Sequence, residues 1–275
     1  MKALFILTPS ESKRLIAKAV VQMEDVKYAK ENGYLAIGRG TTNAYIIEEL
    51  MGKEIDKAKY VAGQNIKSVL CIVPQSERIK PITFLKGEVL EGEPKTFIDN
   101  FGKNDVLIKG ANAIDPEGNA GIELAGPGGG TIGSTMGAVI AKGAKLIVPV
   151  GLEKLIPSVK TAARVAGKDV FDYSMGAPVG IMPLMYGDVV TEIEALKILS
   201  GVEAAHISSG GIDGSEGAVH LAAWGDTDNV NKAIAFVESV KGERPLKGVK
   251  SDCLTCQQRC VFQGKKDEEL PEYLK

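Results

Sequence analysis

Apolar residues recur along this chain at two different spacings, which predict alternating helices and strands. Residues 15–26 carry apolar side chains at intervals of three and four, directly after the capping sequence Thr8-Pro9-Ser10-Glu11, and this predicts a helix that ends at Asn32-Gly33. Short continuous apolar runs at 34–37, 104–108 and 146–150 instead predict buried strands. We therefore expect an α/β protein, with an open, mostly parallel, Rossmann-like sheet that has helices on both faces.

The pattern also predicts the organisation of the chain. Residues 1–175 form the expected α/β anion-binding core, and short strand-like runs at about 60–104 predict a β-rich insertion in it. Residues 176–245 predict a strand, a helix at 189–199, two strands and a helix at 229–240, which is typical of a small α+β unit of the split βαβ kind. Residues 246–275 form a cysteine-containing tail.

Two glycine-rich segments follow predicted strands. Residues 109–135 contain eight glycines, and Gly128, Gly129 and Gly130 stand directly before a predicted helix. Glycine adopts positive φ and lets backbone amides approach a ligand, and a helix N-terminus attracts negative charge, so this segment favours an anion site. The alternative is that these glycines only form tight turns.

The second glycine segment, Gly38-Arg39-Gly40, leads into a helix that begins at Thr41 or Thr42. Backbone amides, two hydroxyls and a guanidinium would meet there, as suits an anion, although Thr41 could equally serve only as a helix cap. Lys154 follows the strand at 146–150, which places it near the carboxyl edge of the sheet, where open α/β folds bind ligands.

Composition narrows the functional classes. The chain of 275 residues has 33 basic and 35 acidic side chains, so it lacks the basic excess typical of nucleic-acid binding. No apolar run approaches the roughly 20 residues of a membrane span, and the first residues lack a signal-peptide cleavage pattern. With only four cysteines, three of them close to the C-terminus, a secreted disulfide framework is not indicated, and we expect a cytoplasmic protein. A homodimer is expected on general frequency alone.

The tail carries Cys253, Cys256 and Cys260 in a C-x2-C-x3-C pattern. Two thiolates separated by two residues can face one ion, so zinc or an iron–sulfur cluster is a candidate cofactor. The fourth ligand position is open to Cys71, a partner chain, water or another ligand. Reduced surface thiols, or a disulfide, are the alternative.

Four motifs resemble one enzyme superfamily, and they occur in its order over residues 34–159. GRGTT followed by NAYIIEEL resembles the loop and helix that open type A ribose-5-phosphate isomerases, whose superfamily includes glucosamine-6-phosphate isomerases and CoA transferases. NDVLIKGANAIDPEGN, the glycine run and LIVPVGLEKLIPSV resemble three further segments of that family. The resemblance implies that Thr41 and Thr42 contact a phosphate and that Lys154 helps to neutralise it.

The chain departs from the family where the isomerases keep their acid and base. Lys109 and Asn112 stand at positions of the family's two aspartates, and no glutamate follows the glycine run. We therefore do not expect a standard ribose-5-phosphate isomerase. The carboxylates left as catalytic candidates are Glu123 and Asp115, and Glu123 resembles, weakly, the nucleophile of CoA transferases.

The leading hypothesis is a site for a small anionic metabolite, a phosphosugar or a nucleotide. The expected ligand-binding residues are Gly38, Arg39, Gly40, Thr41, Thr42, Asn43, Lys109, Asn112, Gly128, Gly129, Gly130, Thr131 and Lys154. One alternative is a metal-linked or iron–sulfur-linked regulatory module on the same scaffold, and another is an acyl or CoA transferase that uses Glu123. Whether the chain is an enzyme stays open at this point.

Overall fold

A computed structural model describes the backbone of residues 1–275 and every side chain except that of Pro127. The α-helices are α1 (Pro9–Val20), α2 (Glu24–Asn32), α3 (Thr41–Met51), α4 (Gly130–Lys142), α5 (Val159–Val165), α6 (Glu192–Ser200) and α7 (Thr227–Val240). The strands are β1 (Lys2–Leu7), β2 (Tyr34–Ile37), β3 (Gly63–Ile66), β4 (Val69–Ile72), β5 (Ile82–Leu85), β6 (Glu88–Glu91), β7 (Val106–Ile108), β8 (Ala113–Ile114), β9 (Ala120–Leu124), β10 (Lys145–Pro149), β11 (Gly180–Leu184), β12 (Asp188–Val190), β13 (Glu203–Gly210) and β14 (Ala218–Trp224).

The main sheet has six strands in the order β12-β10-β7-β2-β5-β6. The first four are parallel, and β5 and β6 extend the sheet in the antiparallel sense. Ile37, Ile108 and Ile147 are register partners, so three parallel strands end side by side. This confirms the predicted α/β class with a mostly parallel sheet.

Side chains of these strands are buried on both faces. Ile37 and Ile108 point into one core with α1 and α3, whereas the adjacent Leu107 joins a second core that contains Ile132 of α4. Burial on both faces explains why the parallel strands read as continuous apolar runs and not as alternating patterns.

A smaller antiparallel sheet has the order β1-β14-β13 and packs on α6 and α7. Its edge strand β1 comes from the start of the sequence, while β12 belongs to the main sheet and β11 pairs with β9. The proposed division at residues 175 and 176 stays a prediction, although strand pairing crosses it in both directions.

Two predicted helices have different bounds in the structure. The run at 189–199 begins as strand β12, and helix α6 starts only after Thr191, which caps it in a capping box with Glu194. The helix expected to continue to Asn32 is interrupted after Val20, so that α1 and α2 are separate helices. In both cases the apolar spacing is compatible with either structure, and tertiary pairing decides.

The tail lies against the hairpin β3–β4 of the insertion. Ser251 Oγ donates a hydrogen bond of 2.8 Å to Ile72 O, and Val261 N donates one of 3.0 Å to Ser174 O. In the part of the chain that the structure describes, no helix combines the length and apolar character needed to cross a membrane.

Candidate functional site

The loops that follow β2 and β7 lie next to each other at the carboxyl edge of the main sheet. Gly38 N donates to Ile108 O at 2.9 Å, and Lys109 N donates to Ile147 O at 3.0 Å. These bonds continue the parallel ladder one residue past the strands. The sheet therefore fixes the starting positions of both loops.

Gly38 is needed because side chains from two other segments reach it. A Cβ atom at this position would lie 2.9 Å from Lys109 Cδ and 3.6 Å from Thr131 Cγ2. The segments that carry Gly38, Lys109 and Thr131 thus lie side by side at this edge of the sheet.

Asn43 in α3 holds the first loop in place. Its Nδ2 donates to Gly38 O at 2.7 Å, and a longer contact of 3.4 Å runs to Ile108 O. Its Oδ1 is buried and has no hydrogen-bond donor among the described residues, and it lies 3.6 Å from where a Cβ on Gly110 would stand. A buried acceptor without a donor is costly, so this oxygen is available to a donor such as a ligand hydroxyl.

Lys109 and Lys154 place two ammonium groups at this edge. Lys109 Nζ donates to Gly110 O at 3.0 Å, and Lys154 Nζ donates to Ala111 O at 2.8 Å. Among the described side chains, neither ammonium has a carboxylate within 4.0 Å. Burial lowers the pKa of Lys109 to about 8, and the charge of Lys154 acts in the same direction.

The pKa of Lys154 is lowered as well. Burial is the main cause, Lys13 adds to it, and nearby glutamates including Glu123 oppose it. The nearby glutamates lie beyond ion-pair distance of Lys154 Nζ, so neither ammonium has a bonded counter-ion and each can pair directly with an anion.

Glu123 in β9 faces the same region. It forms a reciprocal pair with Asn112, in which Asn112 Nδ2 donates to Glu123 Oε2 at 3.0 Å and Glu123 N donates to Asn112 Oδ1 at 3.1 Å. Burial raises the pKa of Glu123, and the ammonium of Lys154 partly offsets this. The carboxyl group thus lies within electrostatic reach of Lys154 and ionises at higher pH than an exposed glutamate.

Asp115, the other catalytic candidate, is engaged in holding the backbone. Its carboxylate accepts hydrogen bonds from the backbone amides of Val159 at 3.0 Å, Asn119 at 2.9 Å and Glu117 at 3.2 Å. Burial acts to raise its pKa, but these bonds outweigh burial and leave the pKa lowered. The geometry gives Asp115 the role of fixing the 115–119 turn against the start of α5.

The glycine run forms the turn into α4. Gly128, Gly129 and Gly130 all have positive φ, of 69°, 77° and 59°. Helix α4 begins at Gly130, and Gly129 provides no side chain to cap it. The first amides of α4 are therefore not satisfied by a cap, and Thr131 in its first turn lies beside Gly38.

Three predicted ligand-binding residues have other surroundings. Arg39 pairs with Glu93 and donates from Nε to Ile79 O at 3.3 Å, so its guanidinium points toward the insertion. Gly40, and not Thr41, is the N-cap of α3, so the Thr41 hydroxyl is not used as the cap. Thr42 is buried.

A carboxylate pair next to Lys154 was not predicted from the sequence. Glu192 Oε2 accepts from Leu152 N at 2.9 Å, while Glu192 Oε1 and Glu153 Oε2 are buried without a donor among the described residues. Burial, together with the charge of Glu153, raises the pKa of Glu192 to about 7. The sequence signal was hidden because Glu192 reads as an ordinary acidic residue in the first turn of a helix.

Comparison with known proteins adds little to this picture. No protein-family model matches the chain, and no curated protein matches it. A solved structure of D-ribose-5-phosphate isomerase in complex with phospho-erythronic acid is 17% identical over 78% of each chain, with a TM-score of 0.26. A TM-score this low is not evidence of a shared fold, so the assignment below rests on the site itself.

Proposed function

We propose that this protein binds a small phosphorylated metabolite, a phosphosugar or a nucleotide, at the carboxyl edge of its main sheet. The observation that carries the proposal is the pair Lys109 and Lys154, whose ammonium groups donate to backbone carbonyls at 3.0 and 2.8 Å and have no bonded carboxylate among the described residues. Leaving such charges uncompensated costs stability, and a bound phosphate would remove that cost.

The surrounding groups define how the ligand would lie. The phosphate faces the two lysines and the uncapped amides at the start of α4, which suit an anion by charge and by hydrogen bonding. A ligand hydroxyl donates to Asn43 Oδ1, the buried acceptor without a donor. The Glu123–Asn112 pair then faces the rest of the metabolite.

Calorimetric titration tests this proposal. The ligands are ribose 5-phosphate and AMP, and each is compared with its unphosphorylated form, the sugar or the nucleoside. We expect binding of at least one phosphorylated compound and none of its unphosphorylated partner. Lys154→Met should weaken that binding at least tenfold, while the exposed Lys103→Met, a matched loss of one charge, should leave it unchanged. Equal binding by the parent protein and Lys154→Met would contradict the site.

Acyl transfer through Glu123 is a second candidate, favoured by the interaction of this carboxylate with the ammonium of Lys154. Its oxygen would attack the carbonyl of an acyl thioester, release the thiolate and leave a mixed anhydride. Hydroxylamine, added after incubation with acetyl-CoA, would attack either carbonyl of the anhydride and give acetohydroxamate or a hydroxamate on Glu123, which mass spectrometry detects separately. The absence of both products above the level given by Glu123→Gln would exclude this chemistry.

A further inference from the structure

All four cysteines of the chain meet at one cavity, although Cys71 is far from the other three in sequence. Cys71 lies in β4 of the insertion, whereas Cys253, Cys256 and Cys260 lie in the tail. The four side chains line a single cavity of about 20 Å³. The structure describes all of them as free thiols.

The segment that supplies three of these thiols has little other means of staying folded. As the structure describes it, the chain after α7 forms only two short 3₁₀ turns, at Asp267–Glu269 and Glu272–Leu274. Its apolar core is a small cluster made of Val69, Cys253, Phe262, Leu270 and Leu274. A unit of this size without regular elements usually requires a disulfide or a metal to remain ordered.

Two of the thiols have polar neighbours. Lys250 Nζ lies 3.4 Å from Cys253 Sγ, and Gln258 N donates to Cys256 Sγ at 3.4 Å. A metal-bound sulfur can accept such contacts from outside the coordination shell, so both are compatible with a metal at this cavity.

We propose that Cys71, Cys253, Cys256 and Cys260 bind one zinc ion and thereby fasten the tail to the β3–β4 hairpin. Four thiolates complete a tetrahedral shell, so this is a closed, structural site with no position left for a substrate. Cys71 supplies the ligand that the C-x2-C-x3-C pattern alone does not provide. The site is independent of the anion site at the sheet edge.

The size of the cavity favours a single ion. A volume of about 20 Å³ holds roughly one water-sized body, which is enough for one ion between the four sulfurs. Among the described residues, no group of three or more potential ligands already stands at metal-binding geometry. Zinc binding therefore requires the thiols to turn toward one another, to Zn–S distances of about 2.3 Å.

The test is metal analysis of the full chain, purified without oxygen from cells supplied with both zinc and iron. We expect one zinc per chain and no acid-labile sulfide. Cys71→Ser should lower zinc affinity at least tenfold, measured by competition with a chromogenic chelator. Ser251→Ala, which changes another residue lining the same cavity, should retain the zinc.

Limited proteolysis provides the readout that remains valid if Cys71→Ser folds poorly. Removing zinc from the parent protein with a chelator should expose the tail to cleavage while residues 1–240 stay resistant, and adding zinc back should restore protection. Four results would each overturn the proposal. They are iron with sulfide, a disulfide in place of the metal, undiminished zinc in Cys71→Ser, and a tail equally protected with and without zinc.

Discussion

Replacing Lys109 by methionine should make the free protein more stable while weakening its binding of a phosphorylated ligand. Methionine has a similar length and no charge, so it removes the cost of burying an ammonium without a bonded carboxylate. Burial lowers the pKa of Lys109 from 10.5 to about 8. At 1.36 kcal/mol per pH unit, this corresponds to about 3 kcal/mol as an upper limit.

The expected gain is smaller than this limit. The side chain is only partly buried, and Lys109→Met also removes the hydrogen bond of 3.0 Å to Gly110 O. A lost hydrogen bond costs about 1 kcal/mol, so we expect an increase of about 1–2 kcal/mol in the free energy of unfolding at pH 7. A structural lysine would show the opposite sign.

The pH dependence gives a second signature of the same residue. Because the pKa of Lys109 is about 8 in the folded protein and near 10.5 when unfolded, the unfolded state binds more protons between these values. The contribution of Lys109 to stability is therefore lowest below pH 8 and rises as the pH increases toward 10.5. Lys109→Met should lack this rise.

Ligand binding should shift the same equilibrium. A phosphate beside Lys109 raises the pKa of its ammonium, so binding at pH 8 should take up part of a proton. Calorimetry in two buffers with different ionisation enthalpies measures this proton uptake. Urea denaturation at pH 7 and 9.5 measures stability. Lys103→Met is the control in both assays. If Lys109→Met is destabilised and still binds the ligand with full affinity, the assignment is refuted.

Three further predictions concern stability. Glu192→Gln should leave stability at pH 5 nearly unchanged and raise it at pH 8 by about 1–3 kcal/mol. The pKa of Glu192 is about 7 in the folded protein and near 4.5 when unfolded, so the parent loses stability as the pH rises through this window. Urea denaturation measures the effect, and an equal difference in stability between parent and variant at both pH values would contradict it. Arg14→Met should lower the free energy of unfolding by about 3 kcal/mol, because the buried Glu48 carboxylate then keeps only Lys57 as an ion-pair partner. A loss below about 1 kcal/mol at 25 °C would show that the Arg14–Glu48 pair is not important for stability. Thr191→Ala should lower the free energy of unfolding by about 1 kcal/mol through loss of the α6 cap, whereas Thr191→Ser should keep most of it.

The sequence was sufficient where local patterns and tertiary structure agree. The apolar runs correctly predicted β2, β7 and β10 as buried strands, because a sheet covered on both faces buries every residue of such a run. The glycines before Thr131 were predicted to turn the chain into a helix, and Gly128, Gly129 and Gly130 have the positive φ that suits such a turn.

Sequence reasoning failed where a distant partner decides the structure. The run at 189–199 has the spacing of a helix, but pairing with β10 makes its first two residues, Val189 and Val190, part of a strand. Arg39 had the right charge and place for an anion ligand, yet Glu93, from the insertion, holds its guanidinium elsewhere. The convergence of Cys71 with the tail cysteines also depends on a packing that no local pattern encodes.

The position of β1 has a consequence for the order in which the chain folds. Its partner in the small sheet is β14, and the paired residues Lys2 and Trp224 are about 220 residues apart. At roughly 5–20 residues per second, a ribosome needs on the order of 10–40 s to make the intervening chain. During that time Leu7 and Phe5, both buried in the finished protein, have no sheet to join. A nascent chain of this topology thus exposes an apolar strand until β14 has been synthesised, which makes β1 the expected binding segment for a ribosome-associated chaperone.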